Sequence, residues 1–352
     1  MQIKRDYYLD FIKIVATICI VFHHYQQVTG AFFEKSINFN GGKFYFGYVV
    51  ELFFVVSGFL MYSYIDKIQG GLSFKDFFVK RFVRLFPLMA IGAISYEIFL
   101  VMYQKIYQSS WFDIQVTFWG TIVASLGLQE GWGLQNPCVN NPTWYISVLL
   151  LCYVVFYLSN YLASRWSVPV KYFFVFIILL GMGISTYGIS LPFLNTQVAR
   201  GYYAFFFGVL FASFMKNYNS SLKLDVLVLL IIIGIPLLIV YKYEIMVNGL
   251  NYIMTFIFYP ALIALGKNSL VSAMFGKSWI GTLGKISFDV YIWHNPFFLL
   301  LYIFIKIFNW NLSLDSITTM VMYTIVCYLF GTISHYFIEK PIGDIIDKKI
   351  SK

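Results

Sequence analysis

The sequence predicts an all-α, polytopic membrane protein of about ten transmembrane helices with both termini cytoplasmic, and three observations carry that reading. Runs of about 20 mostly apolar residues recur from end to end, the length that crosses a hydrocarbon core of about 30 Å. Only 12% of the 352 residues are charged while 60% are hydrophobic, too little charge to cover a soluble domain of this size. The basic residues, finally, gather in alternate connections. The apolar runs are long and continuous rather than short and alternating, which argues against an outer-membrane barrel.

Taken in order, the expected spans are 8–29, 46–64, 85–103, 143–162, 172–190, 200–216, 224–241, 249–266, 287–305 and 316–337. The first carries Asp6, Asp10 and Lys13 at its start and no clean small-residue cleavage site after it, so it reads as a retained span rather than a signal peptide. With the N-terminus inside, 19 of the 25 Lys and Arg fall on the cytoplasmic side, which fixes the orientation by the positive-inside rule. The net charge of +9 is thereby a topology signal and a site for anionic lipid headgroups, and nucleic-acid binding is not expected. Two stretches stand outside the scheme. Thr117–Gln129 is apolar but short, an interfacial or re-entrant helix on the outer side, and Asn268–Lys285 reads as a cytoplasmic surface segment. Cys19, Cys138, Cys152 and Cys327 suggest no disulfide framework. A single integral-membrane domain, residues 1–352, fills the chain.

Ionisable residues inside spans are costly and therefore mark function first. "FIKIVATICIVFHH" holds three. Lys13 and His24 are eleven residues apart, close to three turns, so they share one helical stripe with His24 about 16 Å deeper. Asp10 falls near the same stripe and can pair with Lys13. His23 points about a quarter-turn away and reads as structural. The bland alternative has Lys13 snorkelling to the interface and both histidines bonded within the bundle. In the second span Glu51 lies at a depth comparable to His24, where a carboxylate can orient an imidazole; the alternative is an acid at the outer interface. Ser57-Gly58, deeper in that span, reads as close helix packing.

"FVKRFVRLFP" brings Lys80, Arg81 and Arg84 together at the cytoplasmic mouth. Anchoring at the membrane surface explains basic residues there in general, and a paired guanidinium face also suits phosphate oxygens. No Walker motif, no GxGxxG and no metal-ligand spacing is evident, and His294 and His335 are too far apart to form a metal site with each other. Trp111, Phe112, Trp119, Trp132 and Trp144 in the outer connection suit either sugar stacking or an interfacial aromatic belt.

With these residues in view, the chain resembles the acyltransferase 3 family of bacterial integral-membrane acyltransferases along nearly its whole length. The resemblance rests on "YLDFIKIVATICIVFHH", "ELFFVVSGFL", "KRFVRLFP", "TWYISVLLLCYV", "ISFDVYIWHNPF" and "FIEKPI", in the family's order. It implies a multi-pass protein of the bacterial cytoplasmic membrane. The implied reaction moves an acyl group, usually acetyl from acetyl-CoA, to a hydroxyl of a surface glycan or a similar acceptor. Lys13 and His24 match the family's pattern of a basic residue, ten positions and a histidine, with Lys where Arg is usual; that keeps the charge but loses the guanidinium fork. Arg81 and Arg84 match its RxxR motif, and Glu51 its acid before "FFxxSGF". One departure is clear: where many members read WSLSVE, Leu149 replaces the acid.

Residue chemistry and resemblance together imply a two-sided site. Acyl-CoA phosphates dock at Arg81, Arg84, Lys80 and Lys13, and the pantetheine arm runs up helix 1. His24 acts as general base with Glu51 orienting it, or takes the acyl group itself. Trp132 and Trp144 face the acceptor, a glycan or its lipid-linked precursor. Succinyl-CoA is the alternative donor, and no metal is expected. A transporter or flippase with a buried proton relay, or a non-catalytic scaffold, are the readings from other classes.

Overall fold

The computed structural model of the protein describes residues 5–32, 37, 39, 42–112, 114, 117–132, 134 and 140–350. It is all-helical, 82% helix with no strand among the described residues. The principal helices are α1 (Tyr7–Phe32), α2 (Val49–Met61), α3 (Phe74–Tyr107), α4 (Phe118–Ser125), α5 (Trp144–Arg165) and α6 (Lys171–Tyr187). They continue with α7 (Thr196–Met215), α8 (Leu222–Met246), α9 (Tyr259–Leu265), α10 (Ser278–Phe308), α11 (Ile317–Ser334) and α12 (Lys340–Ile350).

Among the described residues, eight segments are long and apolar enough to cross a membrane, against the ten expected. Two places account for the difference. Helix α6 has 17 residues, one short of that length. Residues Leu222–Leu265 form one 44-residue run, yet α8 packs against α9, so the run folds back on itself near the kink at Lys242. The expected short helix after Thr117 is α4, eight residues or about 12 Å, lying against α3 with Thr117 capping its first turn.

Helices also extend beyond the expected spans. α3 has 34 residues, about 51 Å, and starts at a Ser73 cap whose Oγ accepts from the Asp76 N–H at 3.1 Å. Its first three turns carry Lys80, Arg81 and Arg84 ahead of Pro87. α10 starts at Ser278, so half of the expected surface segment is the first turns of that helix.

Two groups of helices make the bundle. α1, α3 and α11 each pack on α10, while α2, α5 and α6 pack on α7. The α1–α2 contact joins the groups. α2 and α7 approach so closely that a Cβ on Gly58 would collide with the Phe205 carbonyl oxygen, and one on Gly208 with that of Val55. Gly58 thus does the close packing expected of the Ser57-Gly58 pair. Gly284 of α10 admits the Asp10 side chain in the same way, which sets α1 and α10 face to face. Cys19, Cys152 and Cys327 are free thiols, and Cys138 lies outside the described residues.

Candidate active site

The α1–α10 seam brings His24 and His294 together. His294 Nδ1 lies 2.7 Å from the Tyr291 carbonyl and 3.3 Å from that of Val290. Carbonyls only accept, so Nδ1 carries the proton and His294 Nε2 keeps its lone pair. That Nε2 stands 2.9 Å from His24 Nδ1, which is also 3.1 Å from the Ile20 carbonyl. The network therefore assigns the His24 proton to Nδ1 and leaves its Nε2 bare. A neutral imidazole with a free Nε2 lone pair is what a general base requires. His24 is half-buried, while His23 and His294 are buried, so His24 is the most accessible of the three.

The expected His24–Glu51 pairing gives way to another. Arg200 of α7 reaches across to Glu51 with two bonds, Nε to Oε1 at 2.7 Å and Nη2 to Oε2 at 2.8 Å, and its Nη2 also donates to the Gly47 carbonyl at 2.7 Å. Tyr203 donates to Glu51 Oε1 at 3.0 Å. Glu51 is 1% exposed, so this fork satisfies a carboxylate that lipid or core would otherwise penalise. The Arg200 guanidinium also lies 5.0 Å over Trp144, and His23 stacks edge-on against Tyr45 at 4.8 Å. Glu51 thus holds the wall beside His23 rather than the His24 ring.

At the end of the bundle where α3 begins, Arg81 is caged. Its guanidinium lies 3.8 Å over Phe77 and 4.1 Å over Tyr64, donates to the Phe77 carbonyl at 2.5 Å, and has Nε 3.3 Å from Met61 Sδ. Arg84 and Lys80 are exposed, and neither has an ion pair among the described residues. Lys13 pairs with Asp10 at 2.6 Å, as the spacing suggested, and Arg5 takes the other oxygen at 2.5 Å. Between Lys13 and His24, Thr17 and Ile20 are fully buried, on a helix that packs against both α10 and α11. α2 carries half-buried positions too: Phe53, Ser57 and Met61, one turn apart, continuing to Tyr64. Ser57 Oγ meets Tyr145 OH at 3.1 Å, and Tyr145 lies 5.9 Å from Tyr291, whose ring is 5.8 Å from His294. A run of side-chain contacts thus leads from the histidine pair through Tyr291, Tyr145 and Ser57 toward Met61 and Arg81.

The family model for an acyltransferase domain matches residues 6–336 of the 352. The chain belongs to the acyltransferase 3 family. Searches of curated proteins and of solved structures returned no match. In this acyltransferase the two tryptophans expected to face an acceptor are engaged within the protein. Trp144 carries the Arg200 contact, and Trp132 donates from Nε1 to the Ser147 carbonyl at 3.1 Å. Trp111 is buried, and Trp119 is exposed. Leu149, standing where relatives have an acid, is buried in the core.

Two residues of the site escaped the sequence reading. His294 lies in "ISFDVYIWHNPF", a segment that carries the family resemblance, but nothing in the sequence places it against His24, 270 positions away. Arg200 has no sequence signal that ties it to Glu51, 149 positions away.

Proposed function

We propose that this acyltransferase is a membrane-embedded O-acyltransferase of the bacterial cytoplasmic membrane. Its donor is cytoplasmic acetyl-CoA, and its acceptor is a hydroxyl of a surface polysaccharide or its lipid-linked precursor. The observation that carries this reading is the bare Nε2 of His24, held by His294 at the head of a run of side-chain contacts that leads toward Arg81. Arg84 and Lys80, exposed beside the cage, bind the nucleotide phosphates, and Arg81, fixed by its aromatic rings, lines the mouth. The pantetheine arm lies along Phe53, Ser57 and Met61 of α2, rather than along helix 1 as the spacing of Lys13 and His24 suggested. Arg84 is eight residues, about 12 Å of rise, from Gly92, which packs against Ile292 beside His294, so the mouth and the base are one arm's length apart.

In the transfer step His24 Nε2 takes the acceptor hydroxyl proton as the oxygen attacks the thioester carbonyl. The C–S bond then breaks, and the thiolate leaves with the proton that His24 returns. His294 Nε2 accepts from the His24 Nδ1–H throughout and keeps the ring in the working tautomer. Glu51 and Arg200 hold α2 and α7 together behind His23, and Trp132 and Trp144 shape the acceptor side without stacking on it.

Purified protein incubated with labelled acetyl-CoA and a glycan acceptor tests this directly. Arg84→Ala is expected to raise the acyl-CoA KM about fivefold, an exposed charge contact of about 1 kcal/mol, with acceptor preference unchanged. Transfer that survives His24→Ala overturns the base assignment. Label trapped on His24 without acceptor replaces the base with a nucleophile, and failure to bind acyl-CoA points to a transporter.

A further inference from the structure

A second cluster of ligating groups lies on another face of α10. Asp289, His335 and Glu339 each turn one donor atom inward, and those atoms all lie within 4.8 Å of one another. His335 Nδ1 is 2.5 Å from Glu339 Oε2 and 3.4 Å from Asp289 Oδ2. The segment His335–Glu339 is a π-helical turn between α11 and α12, a local form that recurs at functional positions. Asp289 is completely buried. Its Oδ1 accepts from Ser334 Oγ at 2.8 Å, and Ser334 Oγ accepts from Trp293 Nε1 at 2.9 Å. Its Oδ2 has no hydrogen-bond partner and points into the cluster.

Two carboxylates this close in the interior of a membrane bundle need a compensating positive charge. Among the described residues no lysine or arginine nitrogen lies within 4.0 Å of either one. We infer that Asp289, His335 and Glu339 bind a divalent transition-metal ion. One imidazole nitrogen with two carboxylate oxygens is a borderline donor set that suits Zn²⁺ or Mn²⁺ better than Ca²⁺ or Mg²⁺, which prefer oxygen alone. The Trp293–Ser334–Asp289 chain is the hydrogen-bonded support that such a ligand requires. Asp289 precedes His294 by five residues, so the two side chains leave α10 about 140° apart. The ion therefore stands apart from the histidine pair and clamps the α11–α12 junction to α10. The sequence reading found no metal-ligand spacing because only His335 and Glu339, four apart, are local, and the third ligand arrives from 46 positions earlier.

The test is zinc stoichiometry on full-length protein in detergent, with the purification tag removed, stripped with EDTA and titrated with ZnCl₂. One zinc per chain is expected, with a higher thermal unfolding midpoint than the stripped protein. Asp289→Asn and Glu339→Gln each abolish retention, and Ser334→Ala, which keeps all three ligands, weakens binding roughly tenfold to a hundredfold. Co²⁺ substituted into the wild-type protein supplies a readout that needs no variant: intense visible d–d bands of low-coordinate nitrogen and oxygen ligation support the site. No retained zinc, retention that survives both carboxylate variants, or a Co²⁺ spectrum like that of the hexaaqua ion overturns the inference. The charge would then be balanced by protons shared between the carboxyls.

Discussion

Helix α10 presents two imidazole environments on two of its faces, and they differ in one respect. Toward α1, His294 meets backbone carbonyls and a second histidine, with no carboxylate among the described residues bonded to either ring. Toward α11 and α12, Asp289 meets His335 with Glu339 beside it. A carbonyl fixes a proton on one ring nitrogen and leaves the other bare, which makes a base. Two carboxylates make a cation site. Residue type alone does not separate these outcomes; the partner's ability to carry charge does.

The largest expected break in this contrast is His24→Ala, which lowers acyl transfer by about 10²- to 10⁴-fold, while His335→Ala leaves turnover essentially unchanged in the same assay. Next comes the ion pair that holds the wall. Glu51→Gln strands the Arg200 guanidinium in the interior and costs about 3 kcal/mol, read as a lowered denaturation midpoint in detergent. A milder effect follows from His294→Ala, a roughly tenfold fall in kcat with an unchanged acyl-CoA KM; His294→Asn, whose amide oxygen accepts from His24 Nδ1, recovers part of it. The smallest concerns Glu130 in the connection between α4 and α5. Burial pushes its carboxyl up, against the lowering bond from Asn195 at 2.5 Å. A raised folded value means this contribution to stability is complete below the unfolded pKa and is lost as pH rises through the folded one. Glu130→Gln should flatten the dependence of the unfolding midpoint on pH in that window.

Helix periodicity was enough to align Lys13 with His24 and to pair Lys13 with Asp10, because both relations are local to one helix. Hydropathy located most spans but cut α3 and α10 short, since it measures lipid thickness whereas backbone hydrogen bonding continues into water. Periodicity places Lys13 and His24 on one stripe but is silent on what packs over it, and Thr17 and Ile20 between them are fully buried. The partners of His24 and Glu51 lie 270 and 149 positions away, and one sequence cannot say which distant helix will face a given turn.

The glycine contacts between α2 and α7 have a mechanical consequence. With backbone touching backbone at Gly58 and Gly208, α2 has no side-chain layer on which to slide or tilt. The helix that carries Phe53, Ser57 and Met61 is thus a fixed rail. The α1–α10 seam is closed differently, by side chains: Asp10 sits over Gly284 and His24 meets His294.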